Sequence, residues 1–168
     1  MSLKLPDAEQ LVSELAAKIK PQLDSDAALI GIHTGGAWIA QKLQQQLGLA
    51  TPLGLLDISF YRDDFARIGL HPQVKPSNIP FDVEGRRIIL VDDVLYTGRT
   101  VRAAMNELFD YGRPASIDLA VLIDRGGREL PVFARYSGAT LELADNQNIE
   151  LKKDKEGRLS LSLNQRNL

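Results

Sequence analysis

The sequence predicts an α/β protein in which a mostly parallel sheet is flanked by helices, all within one domain, residues 1–168. Short apolar runs alternate with amphipathic stretches of about a dozen residues, which is typical of βαβ units. Hydrophobic residues make up 44% of the chain and charged residues 25%, as in an ordinary globular protein with a substantial core. In such folds ligands bind beyond the carboxyl ends of the strands, so the turns that follow the strands are the first candidate sites.

The first half of the chain predicts two helices and two strands. An apolar stripe with helical spacing follows Asp7, which together with Gln10 resembles a capping box. The residues of this stripe are Leu11, Leu15, Ile19 and Leu23. The elements predicted after it are a strand at 27–32, a glycine turn at 33–36, a helix at 37–47 capped by Gly48, and a strand at 53–60.

The second half begins with a long polar connection, residues 62–85. A connection of this length is uncommon inside a compact domain unless it is a lid or a binding loop. The elements predicted after it are strands at 87–91 and 117–123, a helix at 101–109, and a β-hairpin that turns through 152–157.

Composition excludes several classes of function. The chain has no cysteine, which excludes disulfide frameworks, thiolate metal sites and cysteine nucleophiles, and it has only two histidines. The formal net charge of −2 does not indicate binding dominated by nucleic-acid phosphates. Because there is no apolar run of about 18 residues and no signal-peptide core near the N-terminus, we expect no membrane segment and a cytoplasmic location.

The segment 88–100 carries the clearest chemical signal. Its apolar run leads to Asp92 and Asp93, whose carboxylates suit vicinal sugar hydroxyls or a divalent cation. Residues 97–100, Thr-Gly-Arg-Thr, then begin a helix, whose N–H groups, hydroxyls and positive dipole end suit a phosphate monoester. A sugar site a few residues before a phosphate site predicts a cradle for ribose 5-phosphate. The alternative is two solvated acids in a turn before a capped helix.

This segment resembles the signature of type I phosphoribosyltransferases, which bind phosphoribosyl pyrophosphate (PRPP): four apolar residues, two acids and then Thr-Gly-x-Thr. Three further segments, 56–64, 78–82 and 123–131, resemble the PyrR family. Members of that family are pyrimidine-operon attenuation proteins that are also uracil phosphoribosyltransferases. With the glycine turn, the resemblance covers most of the chain between residues 28 and 150.

The resemblance implies a fold and a reaction. The implied fold is a five-stranded, largely parallel sheet with flanking helices, a flexible lid at 62–85, and a small β hood formed mainly by 124–168. The implied reaction converts PRPP and uracil into UMP and pyrophosphate, with Mg²⁺ as the cofactor. The resemblance also implies a homo-oligomer, either a dimer or a tetramer.

The resemblance also implies which residues form the site. The implied catalytic residues are Asp92, Asp93, Arg62 and Lys75, and the two aspartates are also implied to hold the metal, indirectly or through PRPP. The residues implied to bind PRPP and UMP are Thr34, Gly35, Asp92, Asp93, Val94, Leu95, Tyr96, Thr97, Gly98, Arg99, Thr100, Arg125 and Ile149.

Two positions bear on the base and on the activity. Purine phosphoribosyltransferases commonly carry an aspartate before the Thr-Gly pair, whereas Tyr96 has no carboxylate, which favours a pyrimidine; a simple packing ring is the alternative. The family usually has Thr-Arg-Gly where this chain has Thr34-Gly35-Gly36. The missing guanidinium predicts weaker PRPP binding unless Arg62 or Lys75 replaces it. If the loss is real, Gly35→Arg should lower the Michaelis constant for PRPP. If the lid already supplies the charge, an arginine there would only add crowding, because the turn would need backbone dihedrals that only glycine adopts readily.

Two other functions are alternatives. The first is an RNA-binding transcription attenuator with little or no enzyme activity, whose partner is a leader mRNA. Its basic patch would consist of Arg125, Arg128 and Arg135, but Gly127 and Phe133 stand where the family tends to have His and Arg. The second is a phosphoribosyltransferase for another base, because the signature recognises only the ribose phosphate.

Overall fold

The structure is a computed structural model that describes residues 3–58 and 77–166. Its central feature is a five-stranded sheet. The strands are β1 (Ala28–Ile32), β2 (Gly54–Leu56), β3 (Arg87–Leu95), β4 (Ser116–Asp124) and β5 (Tyr136–Thr140). Their order in the sheet is β2-β1-β3-β4-β5, and all four neighbouring pairs are parallel. The predicted fold class is confirmed. Arg62, Lys75 and most of the predicted lid lie outside the described residues.

Within the described residues, three helices flank this sheet. They are α1 (Ala8–Ile19), α2 (Gly35–Leu47) and α3 (Arg99–Leu108), and single 3-10 turns follow α1 and α3. Asp7 caps α1 by accepting hydrogen bonds from the N–H groups of Glu9 and Gln10. The reciprocal half of the predicted capping box is wrong, because the Gln10 side chain donates to Glu14 at 3.2 Å instead. Gly48 ends α2 with a φ of 62°, as predicted.

Two apolar layers enclose the sheet. On one face, α1 and α2 pack through buried side chains such as Leu15 and Leu43. On the other face, α3 packs through Val101 and Leu108, beside Val83 from the segment before β3. Each fully buried side chain of this kind stabilises the fold by about 1.5–3 kcal/mol. No helix in the described part of the chain is long and apolar enough to cross a membrane.

A small antiparallel sheet completes the fold. It consists of β6 (Gln147–Lys153) and β7 (Leu159–Gln165), which form the predicted hairpin. Ile149, Leu151 and Leu159 are buried in the same layer as α1 and α2. The Leu159 N–H also donates to the Glu9 carboxylate at 2.8 Å, which ties the hairpin to α1. The hood is predicted mainly from residues 124–168, but β5, which lies in this range, belongs to the main sheet. The extent of the hood stays a prediction.

Several element boundaries differ from the prediction; α3, for example, begins at Arg99 and not at residue 101. β3 continues past Val91 to Leu95, because its backbone pairs with β4 as far as Asp124 although two acidic residues interrupt the apolar run. α2 begins at Gly35, two residues before the predicted start. Among the described residues of the predicted strand 53–60, β2 covers Gly54–Leu56, which pair with β1, and residues 59 and 60 lie outside the described part of the chain.

Candidate active site

The candidate site lies at the carboxyl ends of β1, β3 and β4, where the α/β fold places its ligands. The β1–α2 turn, the acidic end of β3, the start of α3 and the segment after β4 meet there. The predicted turns at residues 33–36 and 92–100 are therefore brought together, as expected, although the acids belong to the strand and not to the turn after it.

The acidic pair lies inside β3. Asp92 is buried, with 6% of its surface exposed, and one of its carboxylate oxygens accepts the Asp93 N–H at 2.8 Å. Asp93 is half-buried and accepts the Val94 N–H at the same distance. These local hydrogen bonds fix the orientation of the two carboxylates at the end of the strand.

The two glycines of the β1–α2 turn allow α2 to begin directly against this acidic pair. A Cβ atom on Gly36 would overlap the Val91 carbonyl oxygen, which belongs to the sheet backbone. A Cβ atom on Gly35 would overlap the Asp93 carboxylate. Neither glycine has a positive φ, so the expectation that only glycine fits the backbone conformation at Gly35 is wrong. Space, and not the dihedral angle, restricts both positions.

The start of α3 forms the phosphate loop, residues 96–100. Gly98 has a φ of 94°, a left-handed conformation that favours glycine, and a Cβ atom there would also overlap the Val132 side chain. The Thr97 hydroxyl accepts the Arg99 N–H at 3.2 Å. At the start of a helix the next N–H groups, those of Thr100 and Val101, have no intrahelical acceptor. The loop therefore presents N–H groups and the positive end of the helix dipole.

The segment after β4 supports the phosphate loop. The N–H groups of Glu129 and Leu130 donate to the Thr97 carbonyl oxygen at 2.9 and 3.2 Å. The Arg99 side chain pairs with the Glu129 carboxylate at 3.2 Å. The Arg128 guanidinium donates to the Tyr96 carbonyl oxygen at 2.7 Å and pairs with Asp124 at 2.8 Å. This support was not predicted, because it depends on contacts about 30 residues apart and on no local motif.

Tyr96 lies beneath an arginine. The Arg125 guanidinium carbon is 3.9 Å from the centre of the Tyr96 ring, a close cation–π contact. On Gly127, with a φ of 77°, a Cβ atom would overlap the same ring. The ring is therefore held by the segment after β4, in agreement with a packing role.

Arg125 is 7% exposed and donates to the carbonyl oxygens of Gln147 at 3.1 Å and Ala144 at 3.5 Å. Its Nε atom is buried without a hydrogen-bond partner among the described residues. Burial lowers the pKa of Arg125, and the nearby Arg166 guanidinium lowers it further, while Tyr96 and Asp145 oppose the shift. A buried cation close to a second cation indicates a site with excess positive charge.

Not every predicted binding residue faces this site with its side chain. Leu95 and Ile149 are buried in the apolar layers, with 2% and 4% exposure. Thr34 precedes α2, and its carbonyl oxygen accepts the Trp38 N–H at 3.3 Å. The roles of these residues, and those of Arg62 and Lys75 outside the described part of the chain, stay predictions.

The acidic pair alone does not form a complete metal site. Within residues 3–58 and 77–166 there is no group of three or more His, Cys, Asp or Glu side chains that could hold a metal ion. Two carboxylates fit a magnesium ion that takes most of its ligands from phosphate oxygens and water, as Mg²⁺ commonly does. The residues present are therefore compatible with a metal that arrives with a phosphorylated ligand.

Comparison with known proteins identifies the class of this site. Residues 2–152 match the family model of the phosphoribosyl transferase domain. A purine phosphoribosyltransferase from Pyrococcus horikoshii has a similar structure, with a TM-score of 0.61 at 26% identity over 83% of this chain and 86% of that one. The protein is thus a phosphoribosyltransferase of type I fold, as the signature predicted.

More similar relatives specify the family. The bifunctional protein PyrR of Pseudomonas fluorescens is 53% identical over 153 residues, which cover 89% of this chain and 91% of that relative. The bifunctional protein PyrR of Nitrosococcus oceani is 57% identical over 143 residues, which cover 84% of this chain and 81% of that relative. The chain belongs to the PyrR family, and the predicted family membership and enzyme class are confirmed.

Proposed function

We propose that the protein transfers the phosphoribosyl group of PRPP to uracil, which yields UMP and pyrophosphate. The observation that carries this proposal is the position of the acidic pair of β3 a few residues before the phosphate loop at the start of α3. The carboxylates suit the ribose hydroxyls, and the N–H groups of the loop suit the 5-phosphate. Hydrogen bonds from residues 128–130 support the loop.

The reaction would proceed largely by positioning and electrostatics. The bond between the anomeric carbon and the pyrophosphate oxygen breaks, a bond from this carbon to uracil N1 forms, and the N1 proton is released to solvent while pyrophosphate leaves with the bonding electron pair. Asp92 and Asp93 would hold the ribose on one side of this carbon, and the β1–α2 turn would lie beside the leaving pyrophosphate. No protein nucleophile is required, so fixed dipoles and charges supply the catalysis.

Magnesium is the cofactor that this reaction would use. Asp93, half-buried against the start of α2, is the carboxylate that lies next to the proposed pyrophosphate position. When bound, the ion neutralises negative charge on the leaving group. The coordination would come mainly from PRPP and water, because the described residues offer two carboxylates here and not a full set of ligands.

Uracil is favoured as the base by Tyr96. Its position before Thr97 is the one at which purine enzymes commonly have an aspartate, and the ring is held on Arg125. No carboxylate is therefore available at this point for a purine. The similarity to purine phosphoribosyltransferases concerns the sheet and the helices, and this fold accommodates several bases.

A panel of bases tests the proposal directly. The protein is incubated with PRPP, magnesium and uracil, hypoxanthine or orotate, and nucleotide formation is measured by chromatography. We expect UMP from uracil and little product from the other bases. Asp93→Asn, purified by the same procedure, is the control for a contaminating enzyme. Activity that belongs to this protein should fall in the variant, whereas activity of a contaminant would not change. Turnover of hypoxanthine without turnover of uracil would refute the proposal.

The relatives are named bifunctional, which favours a regulatory function beside catalysis. The corresponding proposal is a UMP-responsive regulator of pyrimidine genes that binds a leader mRNA. The three arginines expected in its basic patch do not form one surface, because Arg128 pairs with Asp124 at the carboxyl end of β4 and Arg135 pairs with Asp118 near its amino end. Phe133, which precedes Arg135 by two residues, is 76% exposed. The predicted dimer or tetramer and the cytoplasmic location belong to the same proposal.

Filter binding of a leader RNA, with and without UMP, tests this second function. Tight binding that UMP strengthens and that salt weakens would support it, because phosphate contacts are strongly salt-dependent. An unrelated hairpin of the same length is the control. Equal binding of both RNAs would contradict a specific attenuator.

A further inference from the structure

The end of the chain returns to the candidate site. β7 ends at Gln165, and the next residue, Arg166, places its guanidinium carbon 5.6 Å from the centre of the Tyr96 ring. Residues 153–166 lie beyond the part of the chain that matches the phosphoribosyl transferase family model. A residue outside the matched domain thus contacts the first residue of the phosphate loop.

Arg166 is held in this position by the turn before β6. Its N–H donates to the Asn146 carbonyl oxygen at 2.6 Å, and its guanidinium donates to the Asn148 side chain at 3.3 Å. The same turn accepts hydrogen bonds from Arg125 through the carbonyl oxygens of Ala144 and Gln147. One short segment, residues 144–148, therefore fixes both arginines against a single tyrosine.

This arrangement has an electrostatic cost. Two guanidiniums lie within 6 Å of the same ring centre, and Arg125 is almost fully buried. Like charges repel at this range in a medium that screens less than water. The ring offers each guanidinium a cation–π contact in return.

Tyr96 connects the two arginines to the phosphate loop. It links the end of β3 to Thr97, and its carbonyl oxygen is held by Arg128 at 2.7 Å. The ring that the two arginines contact and the backbone at which the phosphate loop begins therefore belong to one residue.

We propose that Arg166 is a positioning residue: through Tyr96 and Arg125 it holds the phosphate loop in the conformation that binds the nucleotide. The inference rests on the proposed function, because it assumes that the 5-phosphate of UMP and PRPP occupies this loop. Arg166 directly follows β7 and lies outside the matched domain, so the proposal gives this segment an influence on nucleotide affinity. It does not place Arg166 in contact with the substrate.

The test compares Arg166→Ala, Arg166→Lys and Arg158→Ala with the wild-type protein. Arg158 is the matched control, because it precedes the same strand, is 68% exposed and pairs only loosely with Asp7 at 3.7 Å. For Arg166→Ala we expect the Kd of UMP and the KM of PRPP to rise about three- to tenfold, the range of one partly exposed cation–π contact, with kcat within about twofold. Lysine should restore most of the affinity.

Calorimetric titration of UMP, steady-state kinetics and thermal melting of all four proteins give the result. A merely structural role would lower Tm without separating KM from kcat, and would affect Arg166→Lys as much as Arg166→Ala. Unchanged UMP affinity in a folded Arg166→Ala, or an equal loss in Arg158→Ala, would overturn the inference while the proposed function stands. If the wild-type protein itself does not bind UMP, the proposed function fails, and the inference fails with it.

Discussion

Charged side chains are arranged differently at the two ends of the parallel sheet. At the amino end, Asp118 lies between two arginines, with Arg87 and Arg135 both at 3.1 Å. Arg87 also donates to the Gln22 carbonyl oxygen at 2.7 Å, and the hydrogen bond to Asp118 raises the pKa of Arg87. Positive and negative groups are matched there, and each side chain has protein partners.

At the carboxyl end, charges of the same sign lie side by side next to the ion pairs of Arg128 and Arg99. Asp92 and Asp93 are adjacent on β3, and Arg125 and Arg166 share one tyrosine ring. Like charges repel at short range, and such clusters are typical of functional sites. We therefore expect the amino end to maintain the fold and the carboxyl end to bind the ligand.

The largest effect should come from the acidic pair. Asp92→Asn and Asp93→Asn keep the side-chain oxygen that accepts the neighbouring N–H, so the melting temperature should stay near that of the wild type. Turnover should fall about a hundredfold, because two charge-assisted hydrogen bonds to ribose hydroxyls are weakened. Kinetics at saturating magnesium measure this. A variant with nearly wild-type turnover would remove its residue from the site.

The next largest effect should come from the phosphate loop. Thr100→Val nearly preserves volume but removes one hydroxyl at the start of α3. A hydrogen bond to a charged phosphate contributes about 1.5–3 kcal/mol, so the affinities for UMP and PRPP should both fall roughly tenfold to a hundredfold. Calorimetry with UMP checks the result. Unchanged affinity would place the phosphate elsewhere.

A smaller effect is expected at Gly35. The family arginine cannot simply be restored there, because its Cβ would overlap the Asp93 carboxylate. We expect Gly35→Arg to raise the KM of PRPP by about threefold to tenfold, comparable with the loss of one hydrogen bond of about 1 kcal/mol. Gly35→Ala, which adds only the Cβ, is the control for crowding. A folded Gly35→Arg with a lower KM would show that the missing guanidinium limits PRPP binding.

The smallest effect on activity should come from the amino end, where the effect on stability is largest. Asp118→Asn removes the carboxylate shared by Arg87 and Arg135, both partly exposed, so we expect a loss of about 1–2 kcal/mol, within the range for hydrogen bonds to charged groups. Tm should fall by roughly 3–6 °C. Turnover measured below the melting transition should stay within about twofold. Loss of turnover without loss of Tm would reverse the assignment of the two ends.

Local patterns in the sequence predict most of the fold. The apolar runs at 88–91 and 119–123 mark β3 and β4, because buried parallel strands are nearly continuous in apolar residues. The continuation of β3 to Leu95 is not predictable in this way. Asp92 and Asp93 look like loop residues, and only the backbone pairing with β4 shows that they are in the strand.

The residues of the candidate site likewise fall into those that a local sequence pattern predicts and those that it does not. The acidic pair and residues 97–100 follow from a contiguous motif whose geometry is local. The contribution of Arg166 does not, because it requires the β6–β7 hairpin to bring residue 166 back to residue 96. Likewise, the restriction at Gly35 comes from a side chain on β3, which no inspection of the β1–α2 turn alone reveals.

A crystal structure of the protein with bound UMP tests the central claim most directly. The account predicts the phosphate within hydrogen-bonding distance of the N–H groups at the start of α3, residues 97–101, and the ribose hydroxyls against Asp92 or Asp93. A phosphate bound instead at the amino end of the sheet, beside Arg87 and Arg135, would contradict the account.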